Sequence, residues 1–143
     1  MVKVDLLRNI GSHVRESLKP LIEQYPSEFT ERYAGLCGIA SYTTNKILKK
    51  LKIKNNIIIY DQCGIHCFNN IDDVVLDCTA TQFKEYRNKD ILIIDKGYYL
   101  FWEPGFITSY NDFDFSDWPE IQQPSTHSKL IKKIVSSYKE KCQ

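Results

Sequence analysis

No stretch of this 143-residue sequence approaches the roughly 18 consecutive apolar residues of a membrane span. Its start, MVKVDLLRNIGSHVRESL, has neither a continuous apolar core nor a small-residue cleavage site of the kind a signal peptide needs. These absences predict no membrane partner, and a chain that is cytoplasmic or secreted without a cleaved signal peptide. Charge of one sign is also missing. Lys and Arg number 19 against 18 for Asp and Glu, and the net +1 supplies no field of the kind nucleic-acid binders use, so nucleic acid is excluded as a main partner. Paired cysteines are missing too: Cys37, Cys63, Cys67, Cys78 and Cys142 form an odd set in a chain large enough to fold without disulfides. Each is therefore a candidate for core, metal or catalysis as a reduced thiol. What is present, 43% hydrophobic and 13% aromatic residues without repeat or low-complexity tract, predicts a single domain over residues 1–143.

The apolar residues change period along the chain. Leu7, Ile10, Val14, Leu18, Leu21 and Ile22 recur in steps of three and four, predicting an amphipathic helix that Pro20 kinks or divides. A second helix follows the same rule through Cys37, Ala40, Thr44, Ile47, Leu48 and Leu51, with Lys46, Lys49, Lys50 and Lys52 mostly on its solvated side. After Asn55 the runs shorten and become β-branched and aromatic, predicting strands at 56–61, 64–70, 73–78, 91–95 and 98–102, with Asp95-Lys96-Gly97 as a tight connection. Residues 103–125 are acidic, aromatic and turn-rich, and read as a loop whose Phe113, Phe115 and Trp118 seal the core. A last helix beginning near Ser125 or Thr126 carries Leu130, Ile131, Ile134, Val135 and Tyr138. Two helices, about five mostly antiparallel strands and a final helix make an α+β pattern.

Cys37 lies between Gly35 and Gly38 in the first turn of the second helix, where unpaired N–H groups and the helix dipole favour a thiolate. Alone, it reads better as a small apolar residue opening a buried face. The segment GIHCFNNIDDVVLDCTATQF, residues 64–83, adds to it. With Ile71 and Asp72 as loop residues, the hairpin pairs His66 with Asp77, Cβ atoms roughly 5 Å apart, a distance at which a carboxylate orients an imidazole and stabilises its charged form. Its other face then holds Ile65, Cys67, Leu76 and Cys78, residues suited to a core.

GLCGIAS at a helix start, GIHCF on a strand and VVLDCTATQF on the next together resemble the papain-like cysteine hydrolase and acyltransferase superfamily, in its transglutaminase-like and bacterial toxin or effector deamidase branches. The resemblance covers about residues 35–102, with Asp77, Thr79, Gln82 and Phe83 fitting a D-x-T-x-x-Q-F run. It implies a papain-like core, with N-terminal helices packed on the sheet. It further implies Cys37 as nucleophile, His66 as general base and then acid, Asp77 as orienter of His66, and no cofactor or metal. Papain's oxyanion-hole glutamine has no counterpart, since Glu31 stands six residues before Cys37; the backbone N–H of Cys37 and the side chain of Gln24 remain as donors. Only 29 residues separate Cys37 from His66, which suits a minimal catalytic core. The implied activity is attack on a carboxamide or peptide bond of a protein substrate through a thioester, with glutamine deamidation preferred and a protein activator or inhibitor as a further partner.

The competing reading is a non-catalytic protein-binding module or a small zinc-binding domain. Cys63, Cys67 and Cys78, with His66, supply ligand types that zinc accepts. Against it, adjacent His66 and Cys67 on a strand point to opposite faces and cannot share one tetrahedral ion. The lysine run KILKKLKIK reads as the solvated face of its helix, and His13 and His127 have no evident chemical partner.

Overall fold

The computed structural model describes residues 3–62 and 64–139, so Cys63 and Cys142 lie outside the described residues. It is an α+β fold in which three helices cover one face of a five-stranded antiparallel sheet. Helix α1, Val4–Gln24, buries Leu7, Ile10, Val14, Leu18 and Leu21 along one stripe. Pro20 does not divide it. It lies close to the C-terminus, where it deletes one backbone hydrogen bond, and the apolar stripe holds both sides of it on the same core. Helix α2, Cys37–Lys50, starts where the sequence predicts and is central, with ten of its fourteen residues buried. Helix α3, Ser128–Ser137, starts later than predicted because Pro124–His127 form a 3-10 turn first. Among the described residues no helix is long and apolar enough to cross a membrane.

The strands are β1, Asn56–Asp61, β2, Ile65–Ile71, β3, Val74–Asp77, β4, Leu92–Asp95, and β5, Ile107–Tyr110, in the order β4-β3-β2-β1-β5. The fifth strand is not the expected 98–102. There the Asp95 carboxylate accepts from the Gly97 N–H and opens a 3-10 turn over Lys96–Tyr98, and the aromatic residues that follow pack on the sheet instead of joining it. Strand β5 comes from the segment read as a loop, pairing Ile107–Tyr110 with Ile57–Tyr60 of β1.

Alternation along the strands separates two faces. Ile71 and Leu76 join the helices in the larger core, while Ile58, Phe68 and Val75 meet Ala80, Leu92 and Tyr99 under the irregular segment on the other side. The β2–β3 hairpin pairs Asn69 with Leu76, Asn70 with Val75 and Ile71 with Val74. This places Asp72 and Asp73 in the turn, with Asp72 at φ 53° and the Asn70 side chain donating to the carbonyls of Asp72 and Val74. The register differs by two residues from the expected one, in which Cys67 faced Leu76 and His66 faced Asp77. Because side chains alternate with period two, a shift of two moves His66 and Asp77 from opposite to diagonal while keeping both on one face.

A buried amide network fixes α2 against β2. Asn69 donates to the Ser41 carbonyl at 2.9 Å, and Asn45 donates to Asn55 at 2.9 Å. Ser41 stands one turn beyond Cys37, so this network sets where the helix start meets the sheet.

Candidate active site

Asp77 closes β3 with all its acceptor capacity in use. One oxygen accepts from His66 Nε2 at 2.7 Å and from the Tyr99 hydroxyl at 2.6 Å; the other accepts from the backbone N–H and hydroxyl of Thr79 at 2.9 and 3.2 Å. Gln82 in turn donates to the Thr79 carbonyl at 3.1 Å, and Phe83 sets its ring edge-on to His66 with centroids 4.6 Å apart. The D-x-T-x-x-Q-F run is thus one local device: each named residue holds the carboxylate, holds its holder, or walls the imidazole. Phe101, 5.5 Å from the His66 ring, completes the wall.

His66 and Asp77 are 3% and 2% exposed, so water screens little of their interaction. Burial by itself pushes the imidazolium pKa down; the Asp77 charge and hydrogen bond, helped by Cys37, overcome this and raise it to about 10. For Asp77, burial opposes the charged form, but His66, Tyr99 and Thr79 hold its pKa below the usual carboxylate value. The pair is an imidazolium–carboxylate at neutral pH. The remaining ring nitrogen, His66 Nδ1, is buried without a hydrogen-bond partner among the described residues.

Cys37 opens α2 with no side-chain cap at Leu36, so the first-turn N–H groups have no intrahelical acceptor. Gly35, at φ +88°, makes the turn before it, where a Cβ would stand 2.6 Å from the Glu28 carbonyl oxygen. The Cys37 thiol meets two groups of β2. A hydrogen bond from Cys67 is the largest influence and lowers its pKa; burial opposes, and the approach and charge of His66 lower it further, to well below the ordinary thiol value. Cys67 moves the other way, raised first by burial and then by Cys37. The consistent assignment is a Cys37 thiolate accepting from a neutral Cys67 thiol, with the His66 imidazolium beside it. His66 Nδ1 is the ring nitrogen free to exchange a proton with Cys37, since it has no formed hydrogen bond among the described residues.

The site is covered. Cys37 is 6% exposed and shares a cluster with Ile57, Ile59, Cys67 and Phe115, against which Phe113 and Trp118 pack. Trp118 and Phe115 lie so close over Gly38 that a Cβ there would be 2.9 and 3.1 Å from their rings. The acidic segment does seal the core, and what it seals is the thiol.

Sequence reasoning missed two members. Strand alternation puts Cys67 on the helix-facing side and reads as core, yet the helix start it meets there is Cys37. Tyr99 stands 22 residues beyond Asp77 in a run read as a strand, with no local signal of its role. Gln24 is not brought to the site: it is exposed at the end of α1, its amide donating to the neighbouring Tyr25 hydroxyl at 3.3 Å. Cys78 is buried near the Arg15 guanidinium, which donates to the Cys78 carbonyl at 2.9 Å; burial pushes its thiol up to about 12. No group of three or more His, Cys, Asp or Glu side chains among the described residues is arranged to hold a metal ion. No family model, curated protein or solved structure matches this chain.

Proposed function

We propose that this chain is a cysteine-dependent hydrolase or acyl transferase of papain-like type, acting on a carboxamide of a protein substrate and preferring a glutamine side chain. The observation that carries the reading is the buried His66–Asp77 pair, braced by Tyr99 and Thr79, set beside a helix-start thiol while Nδ1 stays unpaired. The Cys37 thiolate adds to the carbonyl carbon, and the first-turn N–H groups of α2 stabilise the oxyanion. His66 delivers its proton to the departing nitrogen, leaving a thioester and a neutral imidazole; it then takes a proton from water as that water attacks, and the Cys37 sulfur leaves as thiolate on release of the acid, restoring the starting pair. Ammonia is the leaving group when the substrate is a glutamine side chain, and an amine replacing water gives acyl transfer instead. Asp77 keeps the ring oriented throughout and stabilises the imidazolium each time it forms.

The test is alkylation of Cys37 by iodoacetamide, followed residue by residue by mass spectrometry from pH 5 to 10, together with burst release from p-nitrophenyl acetate. The expected midpoint for Cys37 lies well below the roughly 8.5 of a free thiol, moves upward in His66→Ala, and is accompanied by a burst absent in Cys37→Ser. A midpoint near 8.5 in the unaltered chain, or a burst that survives in Cys37→Ser, overturns the proposal.

A further inference from the structure

A groove of about 760 Å³ runs between α2 and α3, lined in part by Phe115, which also packs in the Cys37 cluster. Its volume is that of a small-molecule site. The floor is apolar, formed by Tyr42, Phe113, Phe115, Ile131 and Val135. The rim is cationic: Lys46 and Lys50 follow Tyr42 at successive four-residue steps along α2, and Lys132 faces them from α3. Asp114 is the only acidic residue of the lining. Lys46 is engaged, lying 3.5 Å from Asp112 and 4.8 Å from the Tyr42 ring centroid. Lys50 and Lys132 are exposed and make no ion pair among the described residues.

We propose that this groove binds a single-chain amphipathic anion, an acyl chain ending in a carboxylate, with the chain on the aromatic and aliphatic floor and the head between Lys50 and Lys132. Charge and shape set the occupant: two exposed lysines without ion pairs among the described residues and a single acid in the lining call for an anionic head, and the aromatic and aliphatic floor calls for a chain without polar groups of its own. An extended acyl chain fits the space and matches both the floor and the rim. The site does not depend on the chemistry at Cys37, and its test is separate from that of the proposed activity.

The test is calorimetric titration of the full chain with dodecanoate well below micelle formation, beside decanoate and dodecyltrimethylammonium. Saturable one-to-one binding of dodecanoate is expected, weakening roughly tenfold for the two methylenes lost in decanoate, with the cationic amphiphile not bound. The exposed-site double variant Lys50→Glu, Lys132→Glu should bind dodecanoate at least tenfold more weakly, and Ser136→Trp, which fills the groove from an exposed position, should abolish binding. Both keep the wild-type circular dichroism if the loss is local. Equal binding of the cationic amphiphile, undiminished binding by either variant, or no dodecanoate binding overturns the proposal. Attachment to phosphatidylglycerol vesicles without binding of free dodecanoate overturns it as well, since the surface and not the groove is then the site.

Discussion

Replacing Cys37 by Ser should change the shape of the stability–pH curve, because the site holds opposite charges that the unfolded chain lacks at neutral pH. Between about pH 6.5 and 8.5 the unfolded chain carries neutral imidazole and neutral thiol, whereas the folded chain carries imidazolium and thiolate. The two states then bind equal numbers of protons at this pair, and its contribution to stability is flat. The signs on either side are opposite. The His66 pKa is raised, so its stabilisation is complete below its unfolded value and is lost as pH rises toward about 10. The Cys37 pKa is lowered, so its stabilisation is complete above the unfolded thiol value and is lost as pH falls. Removing the thiol leaves only the falling contribution of His66 across this window. The stability of the unaltered chain relative to Cys37→Ser should therefore widen as pH rises, approaching the one-proton slope of about 1.4 kcal/mol per pH unit. Urea unfolding at half-unit pH steps, followed by circular dichroism with slopes checked for constancy, measures this directly. Parallel curves for the two proteins between pH 6.5 and 8.5 would refute the thiolate–imidazolium assignment. Above pH 8.5 both should fall more steeply, because Cys67 and Cys78 stay protonated in the fold while the unfolded chain loses their protons.

Tyr99→Phe removes a 2.6 Å hydrogen bond to a buried carboxylate and should cost about 1.5–3 kcal/mol at pH 7; because Asp77 is held ionised to below the usual carboxylate value, the deficit should persist down to about pH 4, and the absence of a deficit at pH 7 would count against that role. Gly38→Ala gains about 1 kcal/mol of helix propensity but drives Trp118 and Phe115 outward, so a red-shifted tryptophan emission and faster alkylation of Cys37 are expected. If neither changes, those rings do not rest on the helix start. Gly35→Ala places a Cβ 2.6 Å from a backbone oxygen at φ +88° and should lose about 2–4 kcal/mol in urea unfolding; a loss below 1 kcal/mol would mean that the turn before Cys37 relaxes freely.

The parts of this structure written in local periodicity were readable. The α1 stripe from Leu7 to Leu21, the start of α2 at Cys37 and strands β1 to β4 all follow from spacing and punctuation. Residues 98–102 misled because aromatic residues suit both a strand and a cover packed on one, and a single capping bond, Asp95 to Gly97, decides between them. The hairpin register was off by two, yet the shared face of His66 and Asp77 survived, since only an odd displacement exchanges the faces. Tyr99 and Cys67 were not legible as site residues because their roles are fixed by tertiary packing. A tyrosine 22 residues downstream and a thiol on the opposite face of the strand reach the site only once the sheet has met its covers.

The rings packed around Cys37 bear on the access to its sulfur as well as on its charge. With Cys37 only 6% exposed in a cluster that Phe115 and Trp118 help to close, an observed alkylation rate is the product of an open-state population and the rate at the open thiolate. Those two factors answer to different variables. Proton activity acts on the thiolate and places the midpoint of the pH profile, while dilute urea, temperature or substitution at Gly38 acts on the population and scales the whole profile without moving that midpoint. A slow thiol here is thus compatible with a strongly acidic one, and between encounters the same cover keeps peroxide and water away from a sulfur that would otherwise stand charged and open to oxidation.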